Sequence, residues 1–243
     1  MEPYFKQLQG DGVTYRVWDA PVRLMHWLNV AAVAVLFFTG FEIMGSVGRS
    51  NVDEPAFGFA MAEMRNLHYF AAVLMTINGA MRGYWFLASW QYRHWFRFNL
   101  WDLDFWRECW WKLKEYATLS YVGHEAHTLG HNALASLAYL FALAAATGLL
   151  LTGFAMRGQI DPTGWIHAAF SWVIPLLGSE ANVRALHRFS MWCLLAFIIH
   201  HVAIVFYLDI LGERGLASSM IIGLKIRPKA WKPVEKPWLE SKP

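Results

Sequence analysis

The chain has 243 residues, of which 56% are apolar or aromatic and only 16% are charged, well below the roughly 25% of an ordinary soluble domain. Its mean hydropathy of +0.28 and its 14 Trp suit a membrane boundary better than an aqueous core; a soluble globule is disfavoured, and disordered or collagen-like chains are excluded. Cys109 and Cys193 form no C-x-x-C pair, which rules out a disulfide framework, an iron–sulfur quartet and a C-x-x-C-H attachment site.

A bilayer core requires about 20 mostly apolar residues per helix, because only a helix satisfies every backbone polar group within its own segment. In chain order, a polar N-terminal arm over 1–23 precedes a first predicted span over 24–45. The arm shows no short apolar run with an A-x-A site, so the first span itself serves as the insertion signal. A second span covers 66–88, interrupted by Arg82.

The following stretch, Ser89 to Gly130, is dense in aromatics; the charges interleaved with them from Trp106 to Tyr116 predict a helix lying in the headgroup layer. A third span over 133–156 carries no charge. The run from Gly164 to Gly178 is too short to cross and contains Pro175, so it reads as interfacial or re-entrant. A fourth span over 185–208 contains His187, Arg188, His200 and His201. A tail over 212–243, rich in Pro and Lys towards its end, is expected to be mobile. No internal repeat stands out. The expected domain is thus a four-transmembrane-helix bundle over 24–211.

Fifteen Lys and Arg fall in the N-terminal arm, the loop after span two and the tail, against four in the other two loops. Positive charge is retained on the cytoplasmic side, so both termini are expected there. Because the basic residues flank helix ends and do not gather on one face, nucleic acid is not an expected partner.

Histidines inside spans are costly and mark relays or cofactor ligands, though each alone could be a helix-packing residue. His187 and His201 are 14 residues apart, which is about 21 Å along a helix and about 40° around it. His200 is turned by about 140° from that face, so spacing selects His201. With the topology above, His68 falls level with His187 and His26 roughly level with His201. Two imidazoles at one depth on different helices suit axial ligation of a b-type haem in a four-helix bundle. Arg82, 14 residues after His68, would face a haem propionate or a quinone. Gly40, 14 residues after His26, would let a macrocycle approach, and Gly153 repeats its Thr-Gly-Phe setting. His124, His127 and His131 have spacings open to zinc, with capping, surface and propionate roles as alternatives.

Six segments in order, YRVWDAPVRLMHW (15–27), RNLHYF (65–70), GHNALA (130–135), WVIPLLG (172–178), LHRFSMW (186–192) and DILGERGLASSMIIG (209–223), resemble the b-type cytochrome subunit of membrane-bound [NiFe] hydrogenases, within the wider bacterial b561-like group. Ala133 and Tyr207-Leu208 depart from that family's pattern. The resemblance implies an all-α membrane protein of the bacterial inner membrane, with haem ligands at His26, His68, His187 and His201. It implies partners too: the iron–sulfur small subunit, with its own membrane anchor, and the large subunit of the hydrogenase on the periplasmic side, and quinone as the acceptor.

By this reading the chain is not an enzyme alone but the electron-transfer subunit of a hydrogen:quinone oxidoreductase. The alternatives are a similar di-haem subunit of another dehydrogenase, such as the formate dehydrogenase type, a free-standing b561-type quinone oxidoreductase, a haem-free transporter, and a purely structural anchor.

Overall fold

A computed structural model describes residues 6–9, 12–46, 60–89, 100–118, 131–211 and 215–228. Helix α1, Ala20–Ser46, has 27 residues and opens with Pro21, which the first turn tolerates because its missing N–H would have no intrahelical acceptor there. Helix α2, Ala60–Ala88, has 29 residues. The two run antiparallel, since Asn78 meets Met25 and Asn29 while His68 meets Thr39. Together with residues 220–223 they form one of two compact units.

That unit is closed at one end by helix α8, Leu216–Ile222. Trp27 Nε1 donates to the Met220 carbonyl at 3.0 Å and Arg23 Nη1 to that of Ile221. The Trp18 amide donates to the Gly223 carbonyl at 3.2 Å. Gly223 has φ +83°, and a Cβ there would stand 2.7 Å from the Trp18 carbonyl oxygen, so both backbone conformation and space require glycine.

The other unit contains helix α3 (Leu103–Ala117), α4 (Ala133–Gly158), α5 (Trp165–Phe170), α6 (Val173–Leu177) and α7 (Glu180–Leu211). Helices α4 and α7 are antiparallel and pack closely, with Gly148 facing the buried Ser190 and Gly153 facing His187. The apolar run read as non-spanning becomes α5 and α6. It folds against α4 and α7 around Ala155, Val173 and Val183. Gly158 makes this fold-back possible, because a Cβ there would sit 2.9 Å from His167 Cα.

Helix α3 has an inverted amphipathicity. Glu108, Lys112 and Glu115 are buried, while Trp106, Trp110 and Leu113 are exposed. The charged face is satisfied internally: Lys112 Nζ donates to Glu115 at 2.6 Å, and Glu108 Oε1 accepts from the Ala133 amide at 3.0 Å. The latter bond places a carboxylate at the positive end of α4, where the helix dipole favours it. Asn132 completes the cap by accepting from the Ala135 amide at 2.8 Å. The exposed aromatic face is the one that a helix in the headgroup layer would present to lipid. Trp90, Trp95 and Phe96, in the same aromatic stretch, lie outside the described residues.

Strands β1 (Lys6–Gln9), β2 (Gly12–Arg16) and β3 (Leu224–Pro228) form an antiparallel sheet in the order β1-β2-β3, with Lys6 opposite Tyr15 and Thr14 opposite Ile226. This sheet was not expected from the sequence. Residues 229–243 of the tail lie outside the described residues.

Among the described residues, three helices are long and apolar enough to cross a membrane: 20–45, 133–158 and 180–210. Large apolar side chains along them stay exposed, such as Phe38, Leu143 and Ile199 at 60%, 54% and 62%. In water such exposure would be costly; in lipid it is the normal state of an outward helix face. The chain is a helical, multi-pass membrane protein.

Candidate functional site

His68 lies on α2, half-buried, with its Nδ1 2.8 Å from Thr39 Oγ1 on α1. Thr39 is fully buried and donates its proton to the Val35 carbonyl at 2.7 Å, one turn back on its own helix. A hydroxyl that has given its only proton can meet a ring nitrogen only as an acceptor. Nδ1 of His68 is thus placed to donate to the Thr39 oxygen.

The second unit repeats this arrangement. His187 on α7 has Nδ1 2.9 Å from Thr152 Oγ1 on α4, and Thr152, buried to 1% exposure, donates to the Gly148 carbonyl at 2.5 Å. In each case the next residue is glycine. A Cβ on Gly40 would lie 3.5 Å from His68 Cε1, and one on Gly153 would lie 3.3 Å from His187 Cε1. The absent side chains leave both imidazoles room at their edges.

The other two histidines sit elsewhere on the helices. His26, half-buried in the first third of α1, meets the Trp27 ring edge-on at 5.4 Å. The turn that carries it is fixed by Asn78, whose amide donates to the Met25 carbonyl at 2.7 Å and to Asn29 Oδ1 at 2.6 Å. From this anchor to Thr39 is 10 to 14 residues of α1, about 15–21 Å, so His26 and His68 occupy different depths of their unit. His201 stacks on Phe197 at 5.7 Å with the planes 15° apart. His201 and its neighbour His200 are both exposed. Arg82 is half-buried on α2.

Each of the expected histidine pairs takes one member from each unit. His131 lies with its ring 6.3 Å from that of Tyr139. His124 and His127, its companions in the zinc reading, lie outside the described residues. Sequence reasoning singled out the glycines of the two Thr-Gly-Phe triplets but passed over their threonines. The signal was present, as the same three residues recur on two apolar helices.

Two pairs of antiparallel apolar helices, each holding an imidazole against a buried threonine, are an arrangement compatible with a membrane cytochrome. A model of the prokaryotic cytochrome b561 family matches residues 17–223, and the chain belongs to that family. It is 36% identical, over 86% of both chains, to a protein of Cupriavidus necator named "Probable Ni/Fe-hydrogenase B-type cytochrome subunit". A similarly named subunit 1 protein of Escherichia coli K12 is 29% identical over 90% of this chain and 94% of its own. One from Azotobacter chroococcum is 30% identical over 86% and 88%. The chain is thus a b-type cytochrome of the membrane, and its work is electron transfer.

The residues present fit a b-type haem. Such a haem takes neutral imidazole nitrogens as axial ligands, with the opposite ring nitrogen engaged in a hydrogen bond. His68 and His187 each have Nδ1 at a hydrogen-bonding distance from a buried threonine, beside a glycine that leaves space at the ring edge.

Proposed function

We propose that the chain is the membrane-anchoring subunit that takes electrons from the iron–sulfur small subunit of a periplasmic-facing [NiFe] hydrogenase and delivers them to the quinone pool. It does so in the bacterial inner membrane, through two b-type haems. His68 and His187 would hold the outer haem, and His26 and His201 the inner one. This pairing comes from helical spacing and from the family resemblance. When bound, a haem with both axial positions filled by histidine supplies one-electron oxidation and reduction, with no open site for another ligand.

The observation that supports the reading is the pair of imidazoles, each with Nδ1 within hydrogen-bond distance of a buried threonine hydroxyl on the neighbouring helix. The side chains of this chain orient the ligands, and its apolar helices exclude water. Arg82, about 21 Å from His68 along α2, would neutralise a propionate of the inner haem or a quinone head. A charged side chain within a span marks a polar path, so a site for an anion or a polar head suits it.

The sheet supports an even number of crossings. Strand β2 precedes α1, and its partner β3 follows α8, so the polypeptide enters and leaves on one side. With α1, α4 and α7 each crossing once, an even number is reached if α2 crosses as well. Its 29 residues make about 43 Å of helix, enough despite Glu63, Arg65 and Arg82. Both termini would then be cytoplasmic, as the loop charges favour.

The test is to purify the full chain with its co-expressed partners and to record reduced-minus-oxidised spectra with hydrogen as the reductant. The account expects a nickel-containing partner and a sharp alpha band that appears under hydrogen and is bleached by added quinone. A colourless complex, or one whose pigment hydrogen does not reduce, would contradict it.

A further inference from the structure

The two threonines have no role in the reading above beyond their bonds, yet the geometry gives them one. We infer that Thr39 and Thr152 are positioning residues that set the tautomer, ring orientation and donor strength of His68 and His187. This inference rests on the reading of those histidines as haem ligands.

Four observations converge on it. Each hydroxyl spends its proton on a carbonyl four residues earlier, Val35 or Gly148. Its oxygen therefore accepts from the imidazole and cannot donate to it. Were the direction reversed, the ring proton would sit on Nε2 and block ligation. Each threonine is at least 99% buried, so no water competes for the bond, and a hydrogen bond in a low-dielectric site is electrostatically strong. β-Branching limits a helical threonine to few rotamers, which makes the acceptor a fixed point for the ring to align to. Finally, the device occurs twice, between α1 and α2 and between α4 and α7, with hydrogen-bond lengths of 2.8 and 2.9 Å. A chance packing contact need not reproduce donor, acceptor, back-bond and following glycine together.

The chemical consequence follows from the direction of the bond. An Nδ1–H engaged by an acceptor places more electron density on Nε2 and makes the imidazole a stronger donor. A stronger donor favours the oxidised metal, so the threonines hold the potential of the haem down. Removal of the acceptor frees the ring to rotate and weakens the ligand. Second-layer partners of this kind typically change metal affinity by about 10–100-fold. At the lower bound, a tenfold bias between the two oxidation states corresponds to about 59 mV for one electron.

The experiment uses the full chain in its native membrane, as wild type and as Thr39→Val, Thr152→Val, Thr39→Ser, Thr152→Ser and His68→Ala. Valine keeps the shape of threonine without its oxygen; serine keeps the oxygen. The readouts are haem per chain, the electron paramagnetic resonance of the oxidised protein, and a potentiometric titration. The expected result is that each valine variant raises one midpoint potential by about 59 mV or more and shifts the resonance of that haem, while the serine variant restores both. If a valine variant loses pigment and serine restores it, the inference is equally supported. If valine leaves potential and resonance at wild-type values, or if serine fails to rescue a loss, the inference is overturned, and loss of one haem in His68→Ala then leaves the ligand assignment standing. Full pigment retention in His68→Ala would overturn that assignment and the inference with it.

Discussion

Gly153 and His187 face each other so closely that a Cβ on the glycine would stand 3.3 Å from the imidazole Cε1. That is tighter than ordinary van der Waals contact, so the ring would have to give by a few tenths of an ångström. At Gly40 the corresponding distance to His68 is 3.5 Å, an ordinary contact. Gly153→Ala should therefore lower haem retention or shift its resonance, whereas Gly40→Ala should do so less. Haem per chain and paramagnetic resonance on the two variants check this order.

The buried ion pair of α3 provides a second test. Lys112 and Glu115 side chains are each only 6% exposed and 2.6 Å apart. Removing one partner strands a buried charge, at a cost of roughly 3–5 kcal/mol, while replacing both with apolar groups is often neutral. Lys112→Met should lower the thermal midpoint in detergent, and Lys112→Met with Glu115→Leu should recover most of it. Equal losses in the single and double variants would mean that the pair contributes nothing.

Cys109, next to this pair on α3, has its thiol pushed up to about 11 by burial, helped by the neighbouring Glu108 carboxylate. The thiolate is the reactive species, so a shift from 9 to about 11 makes alkylation at pH 8 about a hundredfold slower than in the unfolded chain. For stability, the folded state retains the proton through a range in which the unfolded state has lost it. Stability therefore declines as the pH rises from about 9 to about 11. Cys109→Ala should remove that slope, as thermal midpoints across the pH range would show.

Gly223 lies where the chain leaves α8 with φ +83° and with the Trp18 carbonyl in the path of any Cβ. The left-handed conformation alone costs about 1–2 kcal/mol for a residue other than glycine, and the clash adds to it. Gly223→Ala should reduce folded yield and thermal midpoint more than Gly83→Ala, because a Cβ on Gly83 meets nothing within 4 Å.

What the sequence made legible was local. The apolar runs marked the helices, and the 14-residue spacings suggested shared faces for His187 and His201, His68 and Arg82, and His26 and Gly40. The run around Pro175 proved too short to be a span, and it broke into α5 and α6 as its length implied. The sheet was not legible, because Gly12–Arg16 and Leu224–Pro228 are more than 200 residues apart and each is too short to carry a pattern of its own. The charged face of α3 was misjudged for a related reason. Glu108, Lys112 and Glu115 were read only as charges interleaved in a headgroup-layer helix, yet one bonds the start of α4 and the other two bond each other. Only the tertiary partner, the Ala133 amide, shows why Glu108 points inward. Thr39 and Thr152 were passed over, although their triplet recurs on two helices, because a buried threonine looks like any packing residue until the imidazole beside it is seen.

The most direct test of the account is haem stoichiometry in single-ligand variants. Wild type should bind two haems per chain, His26→Ala and His187→Ala one each, and His200→Ala, turned from the ligand face, two. Two haems retained in either of the first two variants would contradict the account.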